Sequence, residues 1–293
     1  MELVPLGPGF GVEVKGVTML DVASDADAYE AVRGAFEEHS LLVFRNQQVA
    51  DDIQAAYSRA FGPLELTKVA SLGAGGFYSK LTNLGEKGEI LPPDHRQVLV
   101  AKANALWHTD SSFKKTPALA SVLTARVLPG EGGETEYTST RLAWQRLPAD
   151  LQARLKDAVA THSYANSRDQ IHPDLANAEE RKALPPVRWR LNWRNPSNDR
   201  RALYVASHAY AIDGMDDRDA RQLLAELLDE ATRREFVYSH KWRQGDAVMW
   251  DNRAMLHRGR PWDYRKERSM IRTTISATDA DGLDQVKPPP TVH

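Results

Sequence analysis

His108 and Asp110, in the stretch "NALWHTDSSF" (residues 104–113), stand two positions apart behind a tryptophan. An imidazole and a carboxylate at i and i+2 of a strand point to the same face and can converge on one metal ion. The pattern alone is weak. A chain with 9 His and this many acids delivers about one His-x-Asp by chance, and a second copy exists at His172, Pro173 and Asp174. That copy lies in the polar stretch "RDQIHPDLANAEER", with proline between the partners, and reads as a solvated turn. His108 instead comes after an apolar approach and falls in an expected strand, Leu106 to Asp110.

Two histidines and one carboxylate occupy one face of Fe(II) and leave positions for substrate and oxygen. The third ligand must come from elsewhere in the chain. His257, in "AMLHRGR" after the turn "MWDNR", is the best candidate. A histidine that merely satisfies a strand would look the same locally. The residues C-terminal to it are more specific. Arg268 and Arg272 are four apart in a strand-like run, so they share a face, which Thr274 continues. Arginines turned inward are costly unless they meet anions, and a guanidinium grips a carboxylate in a bidentate manner. Near a metal, two of them call for two anionic ligands, or for one anion and one internal partner.

These residues must be held by a scaffold. The chain has 293 residues, 42% hydrophobic and 27% charged, which is ordinary for a soluble globular protein. Its formal net charge of -2 favours neither nucleic acid nor an anionic membrane as partner. There is no cysteine, so disulfides, thiolate metal sites and a cysteine nucleophile are excluded. The first residues, "MELVPLGPGFGVEVKG", lack the basic start and apolar core of a signal peptide. No apolar run approaches the roughly 18 residues that span a bilayer. A cytoplasmic location is expected.

"SDADAYEAVRGAFEEHS" reads as a helix capped by Ser24, with Tyr29, Val32, Ala35 and Phe36 as its apolar stripe. "LLVFR" (41–45) reads as a buried strand. "ADDIQAAYSRAFG" is a second helix, stopped by Gly62 and Pro63. Residues 68–97, rich in Gly, Pro and charge, read as a long insert or lid loop with one short strand. Strands are expected at 98–101, 106–110, 118–128 and 134–138. "TRLAWQRLPADLQARLKDAV" is helical with a break near Pro148. Residues 166–188 read as a polar surface excursion with one helix. A strand is expected at 202–207, then the amphipathic helix "DDRDARQLLAELLDEA", then strands in "REFVYSHKW", "DAVMWDN", "AMLHR" and "SMIRTTIS". The tail, 283–293, is expected to be disorder-prone, since "VKPPPTVH" cannot form a regular element. Many short strands with segregated helices imply a mainly β fold with helical insertions, a barrel or sandwich, over one domain spanning 1–293.

The blocks "LWHTDSSF", "PGEGGETEY", "LLAELLDEATRREFVYSHKWRQGDAVMWDNR" and "LHRGR" resemble the Fe(II)/2-oxoglutarate-dependent dioxygenases of the taurine dioxygenase and 2,4-dichlorophenoxyacetate dioxygenase family. The likeness runs from about residue 11 to 276 and is strongest to the phenoxyacetate-degrading branch. It implies a double-stranded β-helix (jelly-roll) barrel. It implies that His108, Asp110 and His257 hold Fe(II), that Arg268 and Thr135 bind the distal carboxylate of 2-oxoglutarate, and that Asn104 lies near iron and cosubstrate. It assigns Arg272 to the anionic group of the substrate. Lys68 falls where that branch has a lysine able to reach the substrate carboxylate, a surface lysine being the plainer alternative. His208 matches a histidine near the pocket, while Phe77 and Tyr78 are offered as an aromatic wall.

The implied reaction consumes 2-oxoglutarate and O2. It hydroxylates the carbon next to the ether oxygen of a phenoxyalkanoate, and the hemiacetal collapses to a phenol and glyoxylate, or pyruvate from a 2-propionate. Asp110 argues against halogenation, because related halogenases lack this carboxylate. Two alternatives are the same chemistry on a sulfonate, sulfate ester or other small acid, and a non-catalytic barrel that binds a small acid. The expected partner is a small anionic organic substrate, with no nucleic acid and no membrane, and the expected assembly is a homo-oligomer.

Overall fold

Apolar runs without polar alternation must be covered on both sides, and the centre of the fold is built from such runs. In a computed structural model, which describes residues 1–67 and 75–289, the first strands are β1 (Glu2–Pro5), β2 (Val12–Lys15), β3 (Leu41–Phe44), β4 (Ser79–Thr82) and β5 (Ala118–Val127). Next along the chain are β6 (Thr135–Ser139), β7 (Val159–His162), β8 (Val187–Arg190), β9 (Asn192–Arg194), β10 (Arg201–Leu203) and β11 (Ala209–Ile212). The last are β12 (Val237–His240), β13 (Ala247–Asp251), β14 (Met255–Gly259) and β15 (Ser269–Ser276). The helices are α1 (Met19–Ser24), α2 (Ala26–His39), α3 (Asp51–Phe61), α4 (Arg96–Ala103) and α5 (Thr140–Arg146), then α6 (Ala149–Leu155), α7 (Tyr164–Asp169), α8 (Ala178–Ala183), α9 (Asp217–Ala231) and α10 (Leu283–Val286).

Seven strands form the major sheet in the order β1-β2-β3-β13-β5-β15-β4. A second sheet of order β12-β6-β14 faces it. Between them lies one core, with Leu41, Val43, Leu123, Val248, Trp250 and Met270 from the major sheet against Tyr137 and Met255. The other side of the major sheet is covered by α1, α2 and α3 through Val22, Val32, Phe36, Tyr57 and Phe61. Double coverage explains why all four residues of β3 are buried, as its unbroken apolar run requires.

The strand in "REFVYSHKW" narrows to Val237–His240 and that expected at 202–207 to Arg201–Leu203, whereas those expected at 118–128, at 134–138 and in "DAVMWDN", "AMLHR" and "SMIRTTIS" appear within a residue or two at each end. So do α3 and α9, and the helix broken at Pro148, which becomes α5 and α6. Other expectations are corrected. Residues 98–101 are not a strand but the middle of α4, which His95 caps by accepting a hydrogen bond from the Gln97 N–H at 3.2 Å. A four-residue apolar run fits either state, and the cap decides it. Residues 106–110 form no regular strand, because only His108 pairs, in a bridge to His257. Ser24 does not cap α2. It ends α1, donating to the Leu20 carbonyl, and Asp25 caps α2 instead.

Residues 166–188 are largely at the surface, as expected, but not with a single helix. They carry two helices, α7 and α8, with Ser167, Arg168, Leu175, Ala176 and Glu180 buried. At the C-terminus, α10 buries Leu283 and Val286, so 283–286 is ordered. The β1–β2 hairpin was not foreseen. The insert holds β4, paired to β15, within its described part.

Candidate metal centre

His257 lies in β14, opposite Tyr137 of β6, and on its other side it pairs with His108. The His108 N–H donates to the His257 carbonyl at 3.0 Å, and the His257 N–H returns the bond at 2.9 Å. This bridge brings the imidazoles together, with ring centroids 4.1 Å apart. Asp110, two residues on, turns its carboxylate to the same point, with Oδ2 3.7 Å from His257 Nε2. One ligand atom from each of the three lies within 4.8 Å of the others, and all three residues are buried. His108 Nδ1 is 2.7 Å from the Leu106 carbonyl. A proton on Nδ1 makes that bond and leaves the Nε2 lone pair for the metal.

The electrostatics suit a divalent cation. Burial pulls the His108 imidazole down to about 4, against the upward pull of Asp110. Burial and the neighbouring His108 hold His257 well below the ordinary histidine range. Burial alone would push Asp110 up, but Arg272 foremost, with His257 and His108, brings it down to about 2. At neutral pH the trio is therefore two neutral imidazoles and a carboxylate.

A polar network fixes Asp110. Ser121 of β5 donates to Asp110 Oδ2 at 2.7 Å. Asn252 accepts from the Asp110 N–H at 3.0 Å and from Trp250 Nε1 at 3.0 Å, while its amide nitrogen donates to Ser121 Oγ at 3.0 Å. The Asn252 amide thus uses both its oxygen and its nitrogen in orienting one ligand. Ser121 and Asn252 were not singled out from the sequence. The signals available were a serine on a buried strand and an asparagine just beyond one.

The triad stands where two cavities meet. The inner one is walled by Asn104, Thr135, Trp262, Arg268 and Arg272 together with His108 and His257. Arg268 stands directly before β15, its guanidinium 4.9 Å over the Trp262 ring. Its Nη2 donates to the Gly133 carbonyl at 3.2 Å, and its buried Nε has no partner among the described residues. Burial lowers its pKa to about 10, so it stays a cation at neutral pH, with no carboxylate partner among the described residues. Thr135 Oγ1 accepts from Trp242 Nε1 at 3.0 Å, which leaves its own proton to donate. A carboxylate between Thr135 and Arg268 would satisfy both, so the pocket fits a dicarboxylate cosubstrate. Asn104 caps α4 and borders both cavities.

The outer cavity, about 590 Å³, is lined by Leu81, Val100, Ala101 and Phe113 among apolar residues, with Asp110, Arg168, His208 and Arg272 among polar ones. Arg272 donates from Nη1 to Asp110 Oδ1 at 2.5 Å, while its buried Nε has no partner among the described residues. It therefore has the internal partner that the sequence left open. His208 Nδ1 lies 3.4 Å from Ser112 Oγ, and its Nε2 has no partner among the described residues. Phe77 and Tyr78 are not among the residues lining either cavity. Both turn to α3, where Arg59 sits 5.4 Å over the Phe77 ring and Tyr78 donates to the Asp51 carbonyl at 2.9 Å. Lys68 lies outside the described residues. The second His-x-Asp copy is exposed, with His172 Nδ1 facing the Pro173 carbonyl at 2.5 Å.

Two imidazoles and one carboxylate beside open cavities are the donor set of non-haem Fe(II) oxygenases. The chain belongs to the family described as taurine catabolism dioxygenase TauD, TfdA family, whose profile matches residues 2–274. It is 40% identical over 275 residues to an alpha-ketoglutarate-dependent 2,4-dichlorophenoxyacetate dioxygenase of Cupriavidus pinatubonensis, covering 92% of this chain and 96% of that one. It is 32% identical over 287 residues to an (S)-phenoxypropionate/alpha-ketoglutarate-dioxygenase of Sphingobium herbicidovorans, covering 95% and 96%. Among solved structures, AAD-2 in complex with Mn(II) and N-oxalylglycine superposes with a TM-score of 0.87 at 36% identity, over 95% of this chain and 98% of that one.

Proposed function

We propose that the protein is an Fe(II)- and 2-oxoglutarate-dependent dioxygenase that oxidises a phenoxyalkanoate, such as 2,4-dichlorophenoxyacetate, at the carbon beside its ether oxygen. One oxygen atom of O2 enters succinate, formed with loss of CO2. The other enters the substrate as a hydroxyl, and the resulting hemiacetal loses a phenol to leave glyoxylate. The observation that carries this reading is the triad at the junction of an arginine-ended inner pocket and an outer cavity with an apolar wall. Iron held by His108, Asp110 and His257 would supply oxygen activation coupled to decarboxylation of the cosubstrate.

The chain's own part is placement. Arg268 and Thr135 take the distal carboxylate of 2-oxoglutarate, and Asn104 closes the pocket beside it. Arg272 holds Asp110 with one nitrogen and offers its unpartnered Nε to the substrate carboxylate. His208, neutral by burial, borders the substrate with its free Nε2. Phe113, Leu81 and Val100 give the aryl ring an apolar surface out of water. This is positioning and charge neutralisation around a cofactor that does the oxidation. The two sheets facing each other across the shared core are proposed to be the halves of a double-stranded β-helix, a jelly roll, making one dioxygenase domain. The proposed form is a cytoplasmic homo-oligomer, whose assembly sedimentation of the purified chain tests directly. Among the described residues no helix is long and apolar enough to cross a membrane.

The test is succinate formation by the iron-loaded enzyme across phenoxyacetates, phenoxypropionates, taurine and an alkyl sulfate. Phenoxy acids are expected to stimulate it, with one phenol released per substrate-dependent succinate. If they give only the uncoupled background while taurine or the alkyl sulfate stimulates turnover, the phenoxyalkanoate reading is lost.

A further inference from the structure

Four charged side chains on the outer cavity are buried or partly buried cations that could meet an acid. Three already face a carboxylate: Arg272 has Asp110, Lys114 has Glu65 and Arg96 has Glu180. Arg168 does not. It is 7% exposed, yet among the described residues no carboxylate stands within ion-pair distance of it. Its Nη1 donates weakly to Ser167 Oγ at 3.3 Å, and its Nε has no hydrogen-bond partner among the described residues. A buried charge left without a counter-ion is strongly unfavourable, so the position needs an account.

The surroundings hold Arg168 in place. It lies on α7, whose first turn is capped by Ser163. Ser167 Oγ meets Ser207 Oγ at 3.2 Å, and Gln170 donates to the Ser207 carbonyl at 3.0 Å. The guanidinium sits 4.7 Å over the Tyr164 ring, which packs on Phe113 at 5.0 Å, and Phe113 packs on His208 at 4.9 Å. Phe113, His208 and Arg168 all line the outer cavity. The cation thus rests on an aromatic platform continuous with the cavity's apolar wall.

We propose that Arg168 is a substrate-binding residue that takes the carboxylate of the acid substrate as a second guanidinium, from α7, alongside Arg272 from β15. The inference rests on the proposed turnover of an acid in this cavity and names a recognition residue that the sequence hid. Arg272 divides its nitrogens between Asp110 and the substrate. Arg168 has no carboxylate partner among the described residues and can offer its fork. Arg168, Arg272 and Phe113 line the same cavity, so charge and ring would be recognised together.

The test compares wild type with Arg168→Gln and Arg168→Lys, each loaded with Fe(II), on whichever acid of the panel the wild type turns over best, and on that acid's neutral primary amide. Arg168→Gln is expected to raise the KM of the acid by about tenfold to a hundredfold, the loss of a charge-assisted hydrogen bond. The KM for 2-oxoglutarate should stay unchanged, and the preference for acid over amide should collapse. Arg168→Lys should fall between, because the charge remains and the fork is lost. An unchanged acid KM in a folded variant overturns the proposal, as does an equal loss for acid and amide or a parallel rise in the 2-oxoglutarate KM. Thermal melting checks the fold, and if Arg168→Gln does not fold, the acid KM of Arg168→Lys decides alone. Turnover of a sulfonate or alkyl sulfate in place of phenoxy acids removes the proposed substrate but leaves Arg168 to be judged on that acid. Turnover of no acid on the panel overturns both.

Discussion

His162, the last residue of β7, is fully buried, and neither of its ring nitrogens finds a hydrogen-bond partner among the described residues. Its ring stacks on Tyr204 at 5.7 Å between centroids, 22° from parallel. Burial pulls its pKa from 6.5 to about 3. Above 6.5 the residue is neutral in both native and unfolded chains and has no effect on their balance. Below it the unfolded chain binds a proton that the native chain refuses, so stability falls with falling pH until the native pKa is reached. The loss is about 1.4 kcal/mol per pH unit, or about 2 kcal/mol at about pH 5. His162→Leu removes the proton site, keeps similar volume and leaves no polar atom stranded. At about pH 8 the substitution should change stability by less than about 1.5 kcal/mol. At about pH 5 the variant should gain about 2 kcal/mol relative to wild type. Urea unfolding followed by tryptophan fluorescence, with chelator present throughout, measures both differences. The other buried histidines titrate in both proteins and cancel in the comparison. A difference between variant and wild type that does not move between the two pH values would falsify the assignment of His162 as a buried neutral group.

Three further substitutions probe the centre and its frame. Asn252→Ala removes the acceptor for the Asp110 N–H and the donor to Ser121, and should weaken Fe(II) or Mn(II) binding by roughly 10- to 100-fold in a titration of the apo protein. Gly133→Ala places a Cβ 3.0 Å from Arg268 Nε on a residue with φ +72°. It should raise the 2-oxoglutarate KM more than the substrate KM, at a stability loss of about 1–2 kcal/mol. Arg253→Met strands Asp251 and Glu37, which Arg253 bonds at 2.9 and 2.7 Å, and should cost about 3–5 kcal/mol in urea unfolding. Burial pushes Glu37 up, but Arg253 and Arg33 hold it below its ordinary value. Its contribution is therefore full above the unfolded carboxyl pKa and lost as pH falls through the native one, and that acid dependence should shrink in Arg253→Met.

How far the site could be read in advance depends on how narrowly chemistry restricts each position. A metal ligand or a carboxylate clamp admits few residue types, so His108, Asp110, His257, Arg268 and Arg272 stand out by type and spacing. The strands β3, β5 and β13 stand out for a similar reason: a sheet covered on both faces tolerates little but apolar residues. Supporting positions are freer. Ser121 and Asn252 do work that any well-placed donor and acceptor could do, and nothing in "ALASVL" or "WDNR" says which ligand they orient. Residues 98–101 went astray because one apolar run serves two periods, and the deciding histidine cap lies outside it. Arg168 was hidden by its company. "ANSRDQIHPD" has the composition of a surface, yet the Ser167–Ser207 contact and the packing of Tyr164 on Phe113 turn one of its arginines inward. Composition averages over a segment, whereas burial is decided residue by residue by what the rest of the chain lays against it. Recognition of the substrate therefore falls to the part of the chain least legible in sequence, while the iron and cosubstrate end is the most legible. Position 168 lies on α7, apart from the ligand-bearing segments, so a substitution there can change the acid that is taken without disturbing the metal.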